Sequence, residues 1–274
     1  MRLALLGSGS SGNVAYVESS ARETDSPTRI LIDAGLSPTA IQARLAALSG
    51  APTVAAIDAL FVTHEHSDHV GCAAQLQRPT FAPASTLNKK GLVGTRVLPG
   101  DRIPVGCLVV EAVQLLHDAA ETVGYVVSDG IYRVGILTDC GEPEMSVARA
   151  YAGCDVLVLE ANHDPKLLMD GPYPPSIQRR VRGRRGHLSN HQSSELLRMI
   201  LDCGPPPQML VAAHVSQKNN RADLVEAALL PLLGPETRFV IATSAGAPEV
   251  RLPLPLRRPR QLGLFTSLTV SWES

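Results

Sequence analysis

Apolar runs and helix-like repeats alternate along the chain. The apolar runs are rich in branched residues and are bounded by glycine or polar residues, so they predict β-strands: MRLALL, VAYVE, RILIDAG, DALFVT, LVVEAVQLL, VGYVVS, YRVGILTD, DVLVLEA, QMLVAA and RFVIAT. Between several of them, apolar residues recur three or four positions apart and predict helices: SPTAIQARLAAL, EPEMSVARAYA, SNHQSSELLRMILDC and NRADLVEAALLPLL. Strands that can pair as hairpins thus dominate the early part of the chain, and strands alternate with helices in the later part.

This order of elements predicts an α/β fold of two sheets packed face to face with helices outside, an α+β arrangement in four αββα layers. The chain has 274 residues, 45% of them hydrophobic, which suffices for one large core. We therefore expect a single domain over residues 1–250. The proline-rich pieces GPYPPS (171–176) and GPPPQ (204–208) predict loops, and residues 251–274, rich in proline and arginine, predict a C-terminal tail.

Charge and cysteine usage narrow the class of protein. The formal net charge is −1 at pH 7, so no overall positive field attracts nucleic acid, and any such binding depends on a local patch. The five cysteines are scattered and form no C-x-x-C pair, which indicates reduced thiols and a cytoplasmic location. No apolar stretch of the sequence has the length of a membrane span, so we expect no membrane partner. Oligomeric state is left open.

The segment THEHSDHVG (63–71) directly follows an apolar run and carries the strongest chemical signal. It holds three histidines and an aspartate within six positions, and imidazole together with carboxylate binds ions such as Zn, Mn and Fe. Four ligand side chains so close together are more than one metal ion with an open coordination position requires. We therefore predict two adjacent divalent metal ions, manganese or zinc with iron as a further option, that hold a hydroxide between them. A solvated polar loop is the alternative.

Two ions need more ligands than one loop supplies, and three further candidates follow apolar runs. They are His117 in LLHDAAE, Asp139 in ILTDCG and His214 in VAAHVSQKNN, and strand ends at one edge of a sheet bring such side chains together. Because a carboxylate has two oxygens, Asp139 is assigned as the bridge. The other ligands are His64, His66 and His117 for the first ion and Asp68, His69 and His214 for the second. An ordinary surface role is the alternative for each later residue taken singly.

These motifs resemble, in order, the metal motifs of the metallo-β-lactamase fold, and the resemblance spans nearly the whole chain. A longer set is similar to the bacterial YycJ/WalJ branch of that family: GSGSSGN (7–13), LIDAG (31–35), HDAAE (117–121), EANHD (160–164), YPPSIQRR (173–180), GHLSN (186–190) and AHVSQKNN (213–220). That branch is regarded as a group of exonucleases that degrade double-stranded DNA from 5′ to 3′. The resemblance therefore implies a nuclease, although the same fold also hosts lactamases, thioesterases and flavodiiron enzymes.

The resemblance also implies a pair of residues for acid catalysis. In related ribonuclease Z enzymes, a glutamate after a strand and a later histidine before a helix are thought to form a proton relay, and Glu160 and His187 occupy similar positions here. The leaving 3′-oxygen of a phosphodiester needs protonation or a metal ion, so His187 is expected to be the general acid and Glu160 to orient it. Asp68 completes the set of assigned catalytic residues. The alternative is that Glu160 caps a helix and His187 merely precedes the N-cap residue Ser189.

Three segments carry candidate phosphate ligands. The glycine-serine loop at 7–13 and the segment after His214 offer hydroxyls, amides and backbone N–H groups that bind anions. The arginine run QRRVRGRRG (178–186) adds guanidinium groups whose planar fork matches phosphate oxygens. A plain hairpin and a solvated charged face are the alternatives. The predicted substrate-binding residues are Ser8, Ser10, Ser11, Asn13, Arg179, Arg180, Ser216 and Asn219.

The sequence thus predicts a two-metal phosphodiesterase, in first place a 5′-to-3′ exonuclease on double-stranded DNA. One alternative is a small-molecule hydrolase acting on a thioester, lactone or cyclic phosphodiester, and another is an RNA-processing nuclease of the same fold. A protein that has kept the fold and lost the chemistry is a third class, but the predicted ligand positions are all intact. The short stretch between Asp139 and His214 leaves no room for the large inserted domain of β-CASP nucleases.

Overall fold

The computed structural model describes residues 1–20 and 25–252. Its strands form two seven-stranded sheets. The first sheet contains β1 (Arg2–Gly7), β2 (Val14–Ser19), β3 (Thr28–Ile32), β4 (Ala59–Phe61), β5 (Thr80–Ala82) and β6 (Thr95–Arg96). The second sheet contains β7 (Arg102–Val105), β8 (Leu108–Gln114), β9 (Val123–Ser128), β10 (Arg133–Leu137), β11 (Val156–Glu160), β12 (Met209–Ala213) and β13 (Arg238–Ile241). The last strand, β14 (Val250–Arg251), returns to the first sheet.

Each sheet combines antiparallel and parallel strands. The order in the first sheet is β14-β1-β2-β3-β4-β5-β6, antiparallel as far as β3 and parallel beyond it. The order in the second sheet is β13-β12-β11-β10-β9-β8-β7, parallel from β13 to β10 and antiparallel from there to β7. Parallel neighbours need a crossover connection, and the predicted helices supply it between the later strands.

Helices cover the outer face of each sheet. In chain order they are α1 (Pro38–Ala46), α2 (Ser67–Val70), α3 (Ala73–Leu76), α4 (Ala84–Lys90), α5 (Met145–Tyr151), α6 (Pro165–Asp170), α7 (Pro175–Val181), α8 (Asn190–Cys203) and α9 (Ala222–Leu229). One apolar core lies between the sheets, a second between the first sheet and α1, and a third between the second sheet and α5, α8 and α9. The predicted four-layer αββα sandwich is confirmed.

The core between the sheets fixes the start of the histidine-rich loop. Tyr125 in β9 is fully buried, and its ring lies edge-on to that of Phe61 with 5.5 Å between centroids. Such a pair contributes about 0.5–1.5 kcal/mol beyond the area that it buries. The Tyr125 hydroxyl donates to the carbonyl of Val62 at 2.9 Å. Because Val62 immediately precedes the segment 63–71, the loop leaves the sheet from a rigid point.

Two predictions about loops and the tail are modified by the structure. The piece at 171–176 is not entirely a loop, because α7 begins inside it at Pro175, where the ring's fixed φ and missing N–H fit the first helical position. Arg251, the first residue of the predicted tail, pairs with Arg2 in β1; residues 253–274 of that tail lie outside the described residues. Within the part that the structure describes, no helix has the length and apolar character needed to cross a membrane.

Candidate metal centre

Side chains from the ends of four strands meet at one edge of the sandwich. His64 follows β4, His117 follows β8, Asp139 follows β10 and His214 follows β12. Strands β8, β10 and β12 run in the same direction, so their carboxyl ends lie at the same edge of the sheet. The structure therefore brings the three later ligand candidates together with the loop at 64–69, as the sequence predicts.

The first cluster consists of His64, His66 and His117, whose ligand atoms lie within 4.8 Å of one another. His66 Nδ1 is 3.3 Å from His117 Nε2. His117 donates from Nδ1 to the carbonyl of Gly186 at 2.8 Å, and His64 Nδ1 lies 2.9 Å from Thr63 Oγ1. The Nδ1 atoms of His64 and His117 make these contacts, so their Nε2 atoms are available at the centre of the cluster.

The second cluster consists of Asp68, His69 and His214, with ligand atoms again within 4.8 Å of one another. The Nε2 atoms of His69 and His214 each lie 3.7 Å from Asp68 Oδ2. His69 donates from Nδ1 to Asp33 Oδ2 at 2.7 Å, and His214 Nδ1 lies 3.3 Å from Glu160 Oε1. Both imidazoles are thus held by a carboxylate on the side away from the cluster, which fixes their orientation.

Asp139 joins the two clusters. Its Oδ1 lies 3.8 Å from both His117 Nε2 and His214 Nε2, and its Oδ2 lies 2.7 Å from His69 Nε2. Burial acts to raise the pKa of this carboxyl, but His214 and His69 outweigh that effect and hold the pKa well below its usual range. An ionised, buried carboxylate therefore contacts both clusters from the position predicted for the bridging ligand.

The unpaired atoms at the centre fit metal ions. His64 Nε2 and His214 Nε2 are buried and make no hydrogen bond with any described residue, and a buried polar atom without a partner costs about 1–3 kcal/mol. Ligands about 2.0–2.1 Å from a tetrahedral ion lie about 3.3 Å apart, close to the separations found here. The residues present therefore fit divalent metal ions.

One supporting residue, Asp33, was not among the predicted site residues. Asp33, just after β3, accepts hydrogen bonds from His69 and from the backbone N–H of Thr63, the latter at 2.8 Å. Asp33, Asp139 and His214 have φ angles of 64°, 59° and 54°, a left-handed conformation that costs about 1–3 kcal/mol when imposed on a residue other than glycine. Strain at three residues of one site indicates that the surrounding structure enforces their placement. The motif LIDAG at 31–35 was the sequence signal for Asp33.

Gly35 allows the loop after β3 to contact the ligand loop. A Cβ at this position would lie 1.8 Å from the carbonyl oxygen of Asp68. We expect Gly35→Ala to displace the backbone at Asp68 and to lower the free energy of unfolding by roughly 1–3 kcal/mol, measured by denaturant titration. Gly234→Ala is the matched control, since a Cβ there would have no atom within 4 Å. Equal losses in both variants would contradict this role of Gly35.

Glu160 and His187, predicted as an acid pair, are in direct contact. His187 Nδ1 lies 2.8 Å from Glu160 Oε1, and the other oxygen of Glu160 accepts from the N–H of Cys140 at 2.9 Å. Burial acts to lower the pKa of His187, but the Glu160 carboxylate outweighs it and raises the pKa to about 9. His187 Nδ1 is also 3.2 Å from Asp139 Oδ1. A charged imidazole therefore borders the ligand cluster, while Ser189 separately caps α8.

The glycine-serine loop and the segment after His214 line one cavity of about 140 Å³. Two residues that were not predicted, Lys218 and Tyr173, also line it, with the Lys218 ammonium 5.6 Å from the centre of the Tyr173 ring. Hydroxyls together with a cation form the chemistry of an anion site. We call it the serine cavity, after the four serines that line it: Ser8, Ser10, Ser11 and Ser216.

Three of the predicted substrate-binding residues are buried: Ser8, Asn13 and Asn219. Ser8 Oγ accepts from the backbone N–H of His214 at 2.8 Å. The side-chain oxygen of Asn13 accepts from the N–H of Gly9 at 2.8 Å, which closes the glycine-serine loop, and the backbone carbonyl of Asn219 accepts from the N–H of Asp164 at 2.9 Å. Direct substrate contact by these three residues stays a prediction.

The two arginines predicted to bind substrate differ in their partners. Arg180 forms a salt bridge with Asp118, with 3.2 Å between Nη2 and Oδ1, and Asp118 in turn lies 3.5 Å from His66 Nε2. Arg179 is exposed and makes no salt bridge within residues 1–20 and 25–252. Arg179 is therefore free to bind a phosphate. Arg180 can bind a phosphate in place of Asp118 only after its salt bridge with Asp118 breaks. Asp118 was not predicted, although it directly follows His117 in the motif HDAAE.

The chain matches the family model described as Beta-lactamase superfamily domain over residues 28–215. It is 29% identical over 249 residues to Exodeoxyribonuclease YycJ of Bacillus anthracis, which covers 85% of this chain and 89% of that protein. Identity with Exodeoxyribonuclease WalJ of Streptococcus pneumoniae is 30% over 237 residues, covering 81% of this chain and 84% of that protein. The predicted similarity to the YycJ/WalJ branch is confirmed.

Solved structures support the same fold. The crystal structure of the short form of human tRNase Z superposes with a TM-score of 0.60 at 15% identity, covering 93% of this chain and 100% of that one. The family model spans well over half of the chain and includes the whole ligand cluster. The chain therefore belongs to the beta-lactamase superfamily and is a metal-dependent hydrolase with the metallo-β-lactamase fold.

Proposed function

We propose that the protein is a two-metal nuclease that degrades double-stranded DNA from its 5′ end. The observation that carries the proposal is the contact of His187 with Glu160 beside the ligand cluster. The departing 3′-oxygen of a phosphodiester is a strong base and needs such a proton donor. A thioester depends less on a proton donor, because its thiolate leaves without a proton. The relatives named exodeoxyribonucleases support DNA as the polymer.

Each group of residues has a separate task in this reaction. Bound divalent ions lower the pKa of a water and offset the charge that develops on the phosphate. Asp68, whose side chain is 23% exposed, lies at the open side of the cluster and orients the attacking water. His187 donates its proton to the leaving oxygen, and Glu160 keeps the imidazole charged and aligned. The residues that would hold two ions are His64, His66 and His117 for one and Asp68, His69 and His214 for the other, and Asp139 contacts both groups.

The surroundings of the metal centre favour a polymeric anion. The serine cavity lies on one side, next to His214, and Tyr173 in its wall precedes α7 by two residues. The last turn of α7 carries Arg179 and Arg180, and Arg180 reaches the metal centre through Asp118. Hydroxyls, a lysine and arginines thus form a polar track along which successive phosphates of a strand can bind.

An end-labelled nuclease assay tests this proposal. We expect labelled mononucleotides from the 5′ end of duplex DNA when Mn²⁺ or Zn²⁺ is present, and none after chelation, because the ligand cluster is needed for the nucleophile. The same assay with single-stranded DNA and with RNA ranks the substrates. Release from the 3′ end would overturn the polarity, and preferential cleavage of RNA would overturn the choice of DNA. No cleavage of any polymer with any added metal would overturn the nuclease.

A further inference from the structure

A second cavity, of about 280 Å³, adjoins the metal centre on the side of His117 and has no part in the chemistry proposed for the cluster. His117 forms part of its wall, as do the two preceding residues, Leu115 and Leu116. Its lining shares no residue with that of the serine cavity. Because His117 is also a proposed metal ligand, a group that occupies this cavity lies next to the reacting phosphate.

The lining of this cavity combines apolar and polar side chains. Pro83, Val97 and Leu115 are buried residues that line it. The polar lining residues are Gln114, Glu121, Thr122 and Arg185, of which Gln114 and Arg185 are exposed. Apolar side chains beside several hydrogen-bonding groups fit a flat ring that has apolar faces and a polar rim. Among the parts of a nucleotide, only the base has that shape and chemistry.

Arg185 is held at the cavity and is free to bind a ligand. The carbonyl of the next residue, Gly186, accepts the hydrogen bond from His117 at 2.8 Å, which ties the backbone of Arg185 to the metal centre. The neighbouring Arg184 pairs with Glu142 at 2.7 Å. Arg185, by contrast, makes no salt bridge with the described residues, and its side chain is exposed. Its planar fork suits both the edge of a base and a phosphate.

We propose that this cavity holds the unpaired base of the terminal nucleotide that the enzyme releases, with Arg185 at its edge. The inference rests on the proposed nuclease function and adds how the strand end is positioned. A volume of about 280 Å³ lies just below the usual range for ligand sites and accommodates a heterocycle. The terminal pair must therefore open before cleavage, at a cost of roughly a few kcal/mol that frayed or mismatched ends avoid.

Substrates with altered ends test the cavity directly. We expect a duplex whose terminal nucleotide is abasic to be cleaved with a kcat/KM roughly ten-fold lower than a duplex with a terminal mismatch, since neither end has a pair to open and the difference is the size expected for burying about 60 Å² of ring surface. The duplex with the terminal mismatch is also expected to be cleaved faster than the matched one. Equal rates for abasic and mismatched ends would overturn the inference and leave the nuclease function intact.

Variants of the cavity separate a base contact from a phosphate contact. We expect Arg185→Ala, and Gln114→Trp, which fills the cavity mouth, to lower kcat/KM on normal ends roughly ten-fold and to cause little further loss on abasic ends. Arg184→Ala is the control, since Arg184 pairs with Glu142 instead of lining the cavity. If Arg185→Ala reduces cleavage equally for both kinds of end, Arg185 contacts only the phosphate and the assigned role is wrong.

A binding measurement gives a readout that does not depend on cleavage. Calorimetric titration with deoxyadenosine 5′-monophosphate and with 2-deoxyribose 5-phosphate compares ligands that differ only by the base. We expect the nucleotide to bind roughly ten-fold more tightly to the wild type, and Arg185→Ala and Gln114→Trp to remove that difference. Equal affinities for the two ligands in the wild type would overturn the inference. If the protein binds the nucleotide more tightly but cleaves no polymer, the proposed nuclease function is wrong and the base-binding cavity is not contradicted.

Discussion

Asp139→Asn is expected to lower phosphodiester hydrolysis by at least about 10²–10³-fold, the loss typical of removing one electrostatic contact to a reacting group. Asp139 contacts His69, His117 and His214, and thus both clusters. An amide keeps the size of the side chain but removes the negative charge that two cations share. Because the remaining ligands hold each ion less well, the metal content is expected to fall together with the activity.

The measurement combines turnover of bis(p-nitrophenyl) phosphate with metal analysis of the desalted protein. Asp223→Asn is the control, since Asp223 is an exposed carboxylate at the start of α9 that pairs with Arg221. It removes the same charge far from the ligand cluster and is expected to keep full activity and metal content. An Asp139→Asn protein that retained the wild-type metal content and more than a tenth of the activity would show that Asp139 is not the shared ligand.

His187→Ala is expected to lower cleavage of DNA by about 10²–10⁴-fold, the usual contribution of a positioned proton donor. The same variant is expected to hydrolyse bis(p-nitrophenyl) phosphate within about three-fold of the wild-type rate, since the p-nitrophenolate leaves without a proton. This contrast between two leaving groups reports on proton donation, whereas a damaged metal site lowers both rates. Steady-state kinetics on the two substrates, with matched metal content, make the comparison.

Glu160→Gln tests the orienting role of Glu160 separately from proton donation by His187. Glu160 holds His187 at 2.8 Å and raises its pKa, so the amide is expected to keep the ring in place but to leave less of it charged. We expect a smaller loss on DNA than in His187→Ala and, because Glu160 also contacts His214 Nδ1, a loss with the chromogenic diester as well. His191→Ala is the matched histidine control, because His191 is largely exposed at the start of α8. Similar losses on both substrates in His187→Ala would rule out His187 as the acid.

The metal ligands were predictable because they follow a strong local pattern. A histidine-rich loop after an apolar strand limits the side chains to a few functions, and each later ligand also follows a strand. The supporting residues lacked such a pattern. Asp33 orients His69 from a strand that lies far away in sequence, and Lys218 lines the serine cavity only because two loops meet. Asn13 and Asn219 are amide residues in polar loops, and only the structure shows that both are buried.

The sequence by itself determined the order of strands and helices, the layered architecture and the residue types at the metal centre, because these depend on periodicity and on the side-chain chemistry of short segments. The tertiary structure alone decided which groups meet: that Asp139 contacts both clusters, that Glu160 pairs with His187, that Arg180 is bound to Asp118 while Arg185 is free, and that a cavity lies beside His117. Such contacts depend on how the two sheets pack and on where distant loops cross, and no local pattern encodes those distances.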